Sequence, residues 1–235
     1  MPAEHRLMSG AAGLYGKHPG FGDFIAAGLP DRVIAALGDW MQAALGQWRD
    51  AAGDGWQEAF DATPRISFWI GPALCDRMAL RGVWQASRDR SGRRYPLLVL
   101  QTGGHPPTAD PADKFYAAAG DMLDNLLAAP GFDARDVAGR LATDLPQPPD
   151  ASTPVWPTFW ALNARHVARD LLKEMAAADH AHAAACRSYW WFSAQEGGSG
   201  VLACQSWPGP DELAWLMAAG RGPGVERTVI KGDPA

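Results

Sequence analysis

The sequence has few of the features that mark secreted or membrane proteins. Its 235 residues include only three cysteines, too few and too widely spaced for a CxxC motif and odd in number for a disulfide framework. No apolar leader core follows the N-terminus, and no run of about 18 uncharged apolar residues could span a bilayer. We therefore predict a soluble, cytoplasmic protein without membrane insertion.

A strong excess of charge of one sign is also absent. The chain carries 26 acidic and 21 basic residues, for a formal net charge of -5. A balance of this kind produces no general attraction to polyanions. We accordingly predict no nucleic-acid partner.

No serine-rich or glycine-rich linker divides the chain. The clearest weak point is a proline-rich stretch from Leu145 to Asp150. A single domain over residues 7–225, with a possible soft boundary near 145–155, is the favoured organisation. A two-lobed arrangement remains an alternative.

Hydrophobic periodicity predicts one long helix in the first quarter of the chain. From Asp31 to Trp48 the apolar residues recur at steps of three and four, which is the period of an amphipathic helix. Asp31 is a plausible N-cap, and Gly53 is a natural terminator. A short helix carrying Trp56 and Phe60 is expected to follow.

Strands and helices then alternate in groups. Runs rich in β-branched, aromatic and aliphatic residues predict strands at 12–15, 65–70, 78–84, 94–100, 188–192 and 201–205. The second, third and fourth of these are expected to pair as hairpins, and a glycine-rich turn at 197–200 separates the last two. Helical patterns cover 112–127, 134–142, 156–178 and 211–219. The predicted fold is α/β: a mixed, largely antiparallel sheet covered by helices on both faces, an αβα sandwich.

Two polar segments stand apart from these patterns. The first is Gly-Lys-His-Pro-Gly-Phe-Gly-Asp-Phe, from Gly16 to Phe24, in which glycines frame charged residues. The second runs from Ser87 to Leu97 and concentrates four arginines beside Asp89. Each has a simpler interpretation, as a tight turn and as a charged hairpin end in which Asp89 pairs locally and Gly92 takes a positive φ. We hypothesise that the two lie close together at one end of the sheet.

The first segment does not match known cofactor loops. A phosphate loop requires a glycine where Ala11 stands and a hydroxyl residue where His18 stands. A dinucleotide fingerprint requires a third glycine where Ile25 stands. We predict no cofactor.

Catalytic and metal motifs are similarly weak. The histidines of Asp179-His180-Ala181-His182 are two residues apart, which on a helix points them about 200° from one another. Gly197-Gly198-Ser199-Gly200 lacks the last glycine of a nucleophile elbow. We predict neither a metal site nor a catalytic residue, although His18 and Asp23 could form an acid–base couple.

Forked guanidinium groups suit carboxylates or phosphorylated side chains on a protein partner. The second segment is therefore a candidate contact surface for an acidic partner. The predicted partner-binding residues from the two segments are Lys17, His18, Asp23, Phe24, Arg88, Asp89, Arg90, Arg93 and Arg94.

Four strings in order resemble the TagF (ImpM) family of type VI secretion-associated regulators: Gly-Lys-x-Pro-x-x-Gly-Asp-Phe, Phe-Trp-x-Gly-Pro, Ser-x-Asp-Arg-x-Gly-Arg-Arg-Tyr-Pro-Leu and Ser-Tyr-Trp-Trp. The resemblance extends from about Leu14 to Leu216. It departs from the family pattern at Ala86 and at Ser206-Trp207-Pro208.

The resemblance implies a cytoplasmic post-translational regulator, generally a repressor, that acts by protein contact and binds a forkhead-associated scaffold protein. The motif positions that it matches are Gly16, Lys17, Pro19, Gly22, Asp23 and Phe24, and Ser87, Asp89, Arg90, Gly92, Arg93, Arg94 and Pro96. The alternative is an enzyme of phosphoprotein or other hydrolytic chemistry, with His18, Asp23 and the arginines gathered in one pocket.

Overall fold

The computed structural model describes residues 10–149, 182–194 and 198–219, together with residues 169, 172, 179 and 180. Its strands and helices, in chain order, are β1 (Ala12–Gly16), β2 (Ile25–Ala27), α1 (Asp31–Ala52), a 3-10 turn (Gly53–Gly55), α2 (Trp56–Asp61), β3 (Ile66–Ile70), β4 (Leu80–Gln85), β5 (Leu97–Thr102), α3 (Phe115–Ala128), α4 (Ala134–Asp144), β6 (Arg187–Ala194), β7 (Gly198–Gln205) and α5 (Pro210–Met217).

The described strands form one seven-stranded sheet in the order β2-β1-β5-β4-β3-β6-β7. All six neighbouring pairs are antiparallel. The predicted hairpin pairing of β3, β4 and β5 is confirmed. The strands that precede and follow this group extend the sheet on its two sides.

Helices cover both faces of the sheet, which confirms the predicted α/β class. On one face α1, α2 and α5 contribute Leu37, Phe60 and Leu213 to a core that also includes Trp190. On the other face α3 and α4 contribute Phe115 and Leu141, among others, to a second core. Each face is closed because alternate residues of the strands point to opposite sides of the sheet.

The long helix forms as its periodicity predicts, but its beginning differs. Pro30 is the N-cap, in extended conformation and with no side-chain cap, so the prediction that Asp31 caps the helix is wrong. Asp31 is instead the first helical residue, where its carboxylate lies near the positive end of the helix dipole. The helix ends at Gly53, whose φ of 63° is the conformation that glycine tolerates best.

Other helix and strand boundaries differ from the predicted ones by a few residues. Strand β2 was not predicted, because three residues are too few to show an alternating pattern. The predicted helix at 156–178 lies outside the described residues apart from 169 and 172, both of which are helical.

Register places two loops at the same end of the sheet. Leu97, at the start of β5, is the partner of both Gly16 at the end of β1 and Gln85 at the end of β4. The chain after β1 and the connection between β4 and β5 therefore leave the sheet side by side. These are the two polar segments that the sequence singles out.

Candidate functional site: two interlocked loops

The glycine loop (residues 17–24) joins β1 to β2, and the arginine loop (residues 86–96) joins β4 to β5. They meet first at Gly16, the last residue of β1, which has a φ of 130°. A Cβ added there would lie 2.0 Å from the carbonyl oxygen of Pro96. Only glycine permits this approach, so the backbone itself brings the loops together.

A buried carboxylate links the two loops. Asp89 is 2% exposed, and its Oδ2 accepts hydrogen bonds from Lys17 Nζ of the glycine loop at 3.0 Å and from Arg93 Nε at 2.6 Å. Its Oδ1 accepts from the backbone N–H groups of Ser91 and Arg93 at 2.9 and 3.0 Å. The four donors occupy both carboxylate oxygens.

The ionised form of Asp89 is strongly favoured in the folded protein. Burial raises the pKa of this carboxyl, but the hydrogen bonds from Lys17 and Arg93 outweigh that cost and hold the pKa well below its usual range. Asp89 is thus an anionic centre between two cations. Asp89 also stabilises the local turn, because its side chain accepts from the backbone of Ser91 and Arg93. Gly92, between those two residues, has a φ of 82°.

Two further bonds join the loops through the backbone. The guanidinium of Arg93 donates to the carbonyl of Gly22 at 2.7 Å, and the N–H of Arg90 donates to the carbonyl of Phe21 at 2.8 Å. The hypothesis that the two segments lie together at one sheet end is therefore confirmed.

His18 connects the glycine loop to helix α3. The residue is fully buried, its Nδ1 accepts from the N–H of Gly20 at 3.0 Å, and its Nε2 donates to the carbonyl of Leu126 at 2.9 Å. Its ring packs against Phe21 and Phe132. Burial lowers the pKa of His18, although the bond to Leu126 opposes this, so the neutral imidazole is favoured.

Phe24, the last residue of the glycine loop, exposes part of its aromatic ring to solvent. It is 40% exposed, stacks on Tyr15 with centroids 5.9 Å apart and meets Tyr95 edge-on at 4.7 Å. Lys17 Nζ lies 4.9 Å from its ring centroid. Asp23, next to it, accepts the N–H of Phe24 at 2.8 Å.

The four arginines divide into two pairs. Arg93 is tied to Asp89, and Arg94 donates two bonds to Asp61 on α2 at 2.9 and 2.7 Å. Arg88 and Arg90 are exposed, and within the described part of the chain neither forms an ion pair. Arg88 and Arg90 are therefore the guanidinium groups available to a partner.

All nine predicted partner-binding residues thus belong to one assembly, but in two roles. Lys17, His18 and Asp89 are buried and hold the loops together. The others reach the surface to differing degrees: Asp23, Phe24, Arg88, Arg90, Arg93 and Arg94. Partner contact remains a prediction, and it now rests on this exposed set.

A second buried polar cluster, which was not predicted from the sequence, lies at the opposite end of the sheet. Arg81 is fully buried, lies 4.2 Å from the ring centroid of Phe115 and is bonded to Gln101, Asp113 and the carbonyl of Pro146. It fastens the proline-rich stretch to the sheet. The sequence carried one indication of this cluster: Arg81 stands in a predicted strand that is otherwise apolar. A buried guanidinium group requires hydrogen-bond or ion-pair partners.

The described residues offer little for other chemistry. They contain no group of three or more acidic, histidine or cysteine residues able to hold a metal ion. All three cysteines are free, and burial raises the pKa values of Cys75 and Cys204 to about 11. None of the described helices has the length and apolar character needed to cross a membrane.

A family model described as the TagF N-terminal domain, type VI secretion system-associated, matches residues 13–143. That is more than half of the chain and includes both loops. The chain belongs to the TagF family.

Among solved structures, PA0076 from Pseudomonas aeruginosa PAO1 is similar, with 24% sequence identity and a TM-score of 0.71. The match covers 95% of this chain and 100% of that chain. At this identity the likeness shows the fold alone. No curated protein was found to match.

We predict that His18 makes folding stability dependent on pH below neutrality. Because the folded-state pKa lies below the ordinary value of 6.5, the unfolded chain gains a proton first as the pH falls. This contribution weakens folding by at most about 1.4 kcal/mol per pH unit below 6.5. Urea unfolding of wild type and His18→Gln at pH 7.5 and 5.5 measures it. Equal losses of stability in the two proteins would contradict the prediction.

We predict that Asp89→Asn lowers the thermal unfolding midpoint much more than Asp61→Asn. The first change leaves two cations facing a neutral amide in a buried site, whereas the second weakens an ion pair whose carboxylate is 52% exposed. The Asp89 contribution is present above pH 3.8, the ordinary pKa, and is lost as the pH falls towards the folded-state pKa. Similar midpoints for the two variants would refute the conclusion that the buried Asp89 carboxylate holds the two loops together.

Proposed function

We propose that this type VI secretion-associated protein is a cytoplasmic post-translational regulator that represses secretion by binding a forkhead-associated scaffold component. The observation that carries the proposal is the pair of exposed guanidinium groups, Arg88 and Arg90, which form no ion pair with the described residues and lie on a loop fixed by a buried carboxylate. A rigid loop loses little conformational entropy on binding, so its charges are available at low cost.

The exposed part of the two loops favours an acidic protein surface. Arg88 and Arg90 supply forked donors for carboxylates or phosphorylated side chains, and the glycine loop adds the exposed aromatic ring of Phe24. Binding that depends on these charges should weaken as the salt concentration rises.

The enzymatic alternative has weaker support from the same geometry. A general base needs a free nitrogen within reach of substrate, yet both ring nitrogens of His18 are already bonded and the ring is fully buried. Asp23 bonds the backbone next to it rather than His18. A regulator that acts by contact requires none of these groups to be free.

The direct experiment measures binding of the purified protein to the forkhead-associated scaffold of the same secretion system by calorimetry. We expect Arg88→Glu/Arg90→Glu to weaken binding at least about tenfold, because the change reverses two charges at the contact. Neither side chain takes part in the hydrogen bonds around Asp89, so circular dichroism should show an unchanged fold.

The matched control is Arg77→Glu/Lys114→Glu, which reverses two exposed charges at the opposite end of the sheet. Lys114 lies about 18 Å along α3 from Leu126, which contacts the glycine loop. Equal weakening by both double variants would indicate a nonspecific charge effect. If wild type fails to bind the scaffold, the proposed partner is wrong. If a folded His18→Gln variant binds but no longer represses secretion, the enzymatic alternative gains support.

A further inference from the structure

Strand β7 forms one edge of the sheet and has none of the usual protections against pairing. It is eight residues long, Gly198–Gln205, and contains no charged residue and no proline. Natural edge strands are usually short, or carry lysine, proline or a bulge. At the other edge, β2 is protected by its length of three residues.

The hydrogen-bond phase of β7 identifies which backbone groups face outward. Ser206 donates its N–H to the carbonyl of Cys186, so this residue pair is hydrogen-bonded and the even-numbered residues of β7 point towards β6. The carbonyl of Arg187 in β6 accepts from the N–H of Gly71, the residue after β3. The odd-numbered residues of β6 therefore bond to β3 and the even-numbered ones to β7, which agrees with the phase of β7. The odd-numbered residues of β7 therefore direct their N–H and C=O groups away from the sheet.

Four residues present these outward groups: Ser199, Val201, Ala203 and Gln205. No backbone hydrogen bond to any of them is made by the described residues on that side. Their side chains are also exposed, and Val201, at 70% exposure, is the largest apolar side chain among them. The edge thus offers eight backbone groups and an uncovered apolar side chain.

We propose that β7 pairs with β7 of a second copy of this chain, antiparallel and centred on Leu202. In that register Ser199 lies opposite Gln205 of the other copy, and Val201 lies opposite Ala203. All four outward-facing residues then fall in hydrogen-bonded pairs, and the two sheets become continuous.

The strand itself favours a second copy as its occupant. A twofold interface must be self-complementary, and pairing about Leu202 sets each of the four outward-facing residues opposite another member of the same set. The absence of charge removes like-charge repulsion across the axis.

Sedimentation equilibrium over about a hundredfold range of protein concentration tests the pairing. We expect the wild-type chain to shift from monomer to dimer. Val201→Lys should weaken the dimer at least about tenfold, because it places a charge on each copy at the interface. Ala35→Lys is the control, since it adds the same charge at an exposed position in the second turn of α1.

The proposal fails if wild type remains monomeric across the range, if Val201→Lys dimerises as wild type does, or if Ala35→Lys weakens the dimer equally. Hydrogen exchange provides a test without substitution. The amides of Ser199, Val201, Ala203 and Gln205 should exchange more slowly at high than at low protein concentration. Exchange independent of concentration at these four amides would also overturn the proposal.

Discussion

A single buried carboxylate determines the shape of the surface at one end of the sheet. Asp89 brings together Lys17 and Arg93, which come from different loops and would otherwise repel one another. A charge in this position is expensive to bury and is tolerated only when it is fully paired. The exposed residues of both loops are therefore positioned by a carboxylate that is itself buried.

This arrangement assigns different tasks to chemically similar residues. Lys17 and Arg93 neutralise Asp89, and Arg94 ties the arginine loop to α2 through Asp61, whereas Arg88 and Arg90 have no such partner among the described residues. Arginine count alone therefore overstates the charge offered to a partner. The available charge is that of the two residues flanking Asp89 in sequence.

Local patterns predicted most of the described fold, while long-range pairing escaped them. The periodicity of α1 and the alternation of β3, β4 and β5 are local signals, and the structure follows both. The bond between Lys17 and Asp89 joins residues 72 positions apart, and nothing in either loop specifies the other as its partner. The buried role of His18 was missed for the same reason, because its acceptor on α3 is 108 residues away.

The two proposed surfaces have a geometric relation that follows from the register of the sheet. Ile66 pairs with Trp84 on one side and Phe192 on the other, so β7 begins at the sheet end that carries the two loops. Antiparallel pairing of β7 between copies reverses this direction, which places the two loop surfaces at opposite ends of the continuous sheet. A dimer of this kind could bind two scaffold molecules, but its two loop surfaces could not share one compact epitope. Any gain in affinity from dimerisation would therefore require partners that are themselves arrayed or linked.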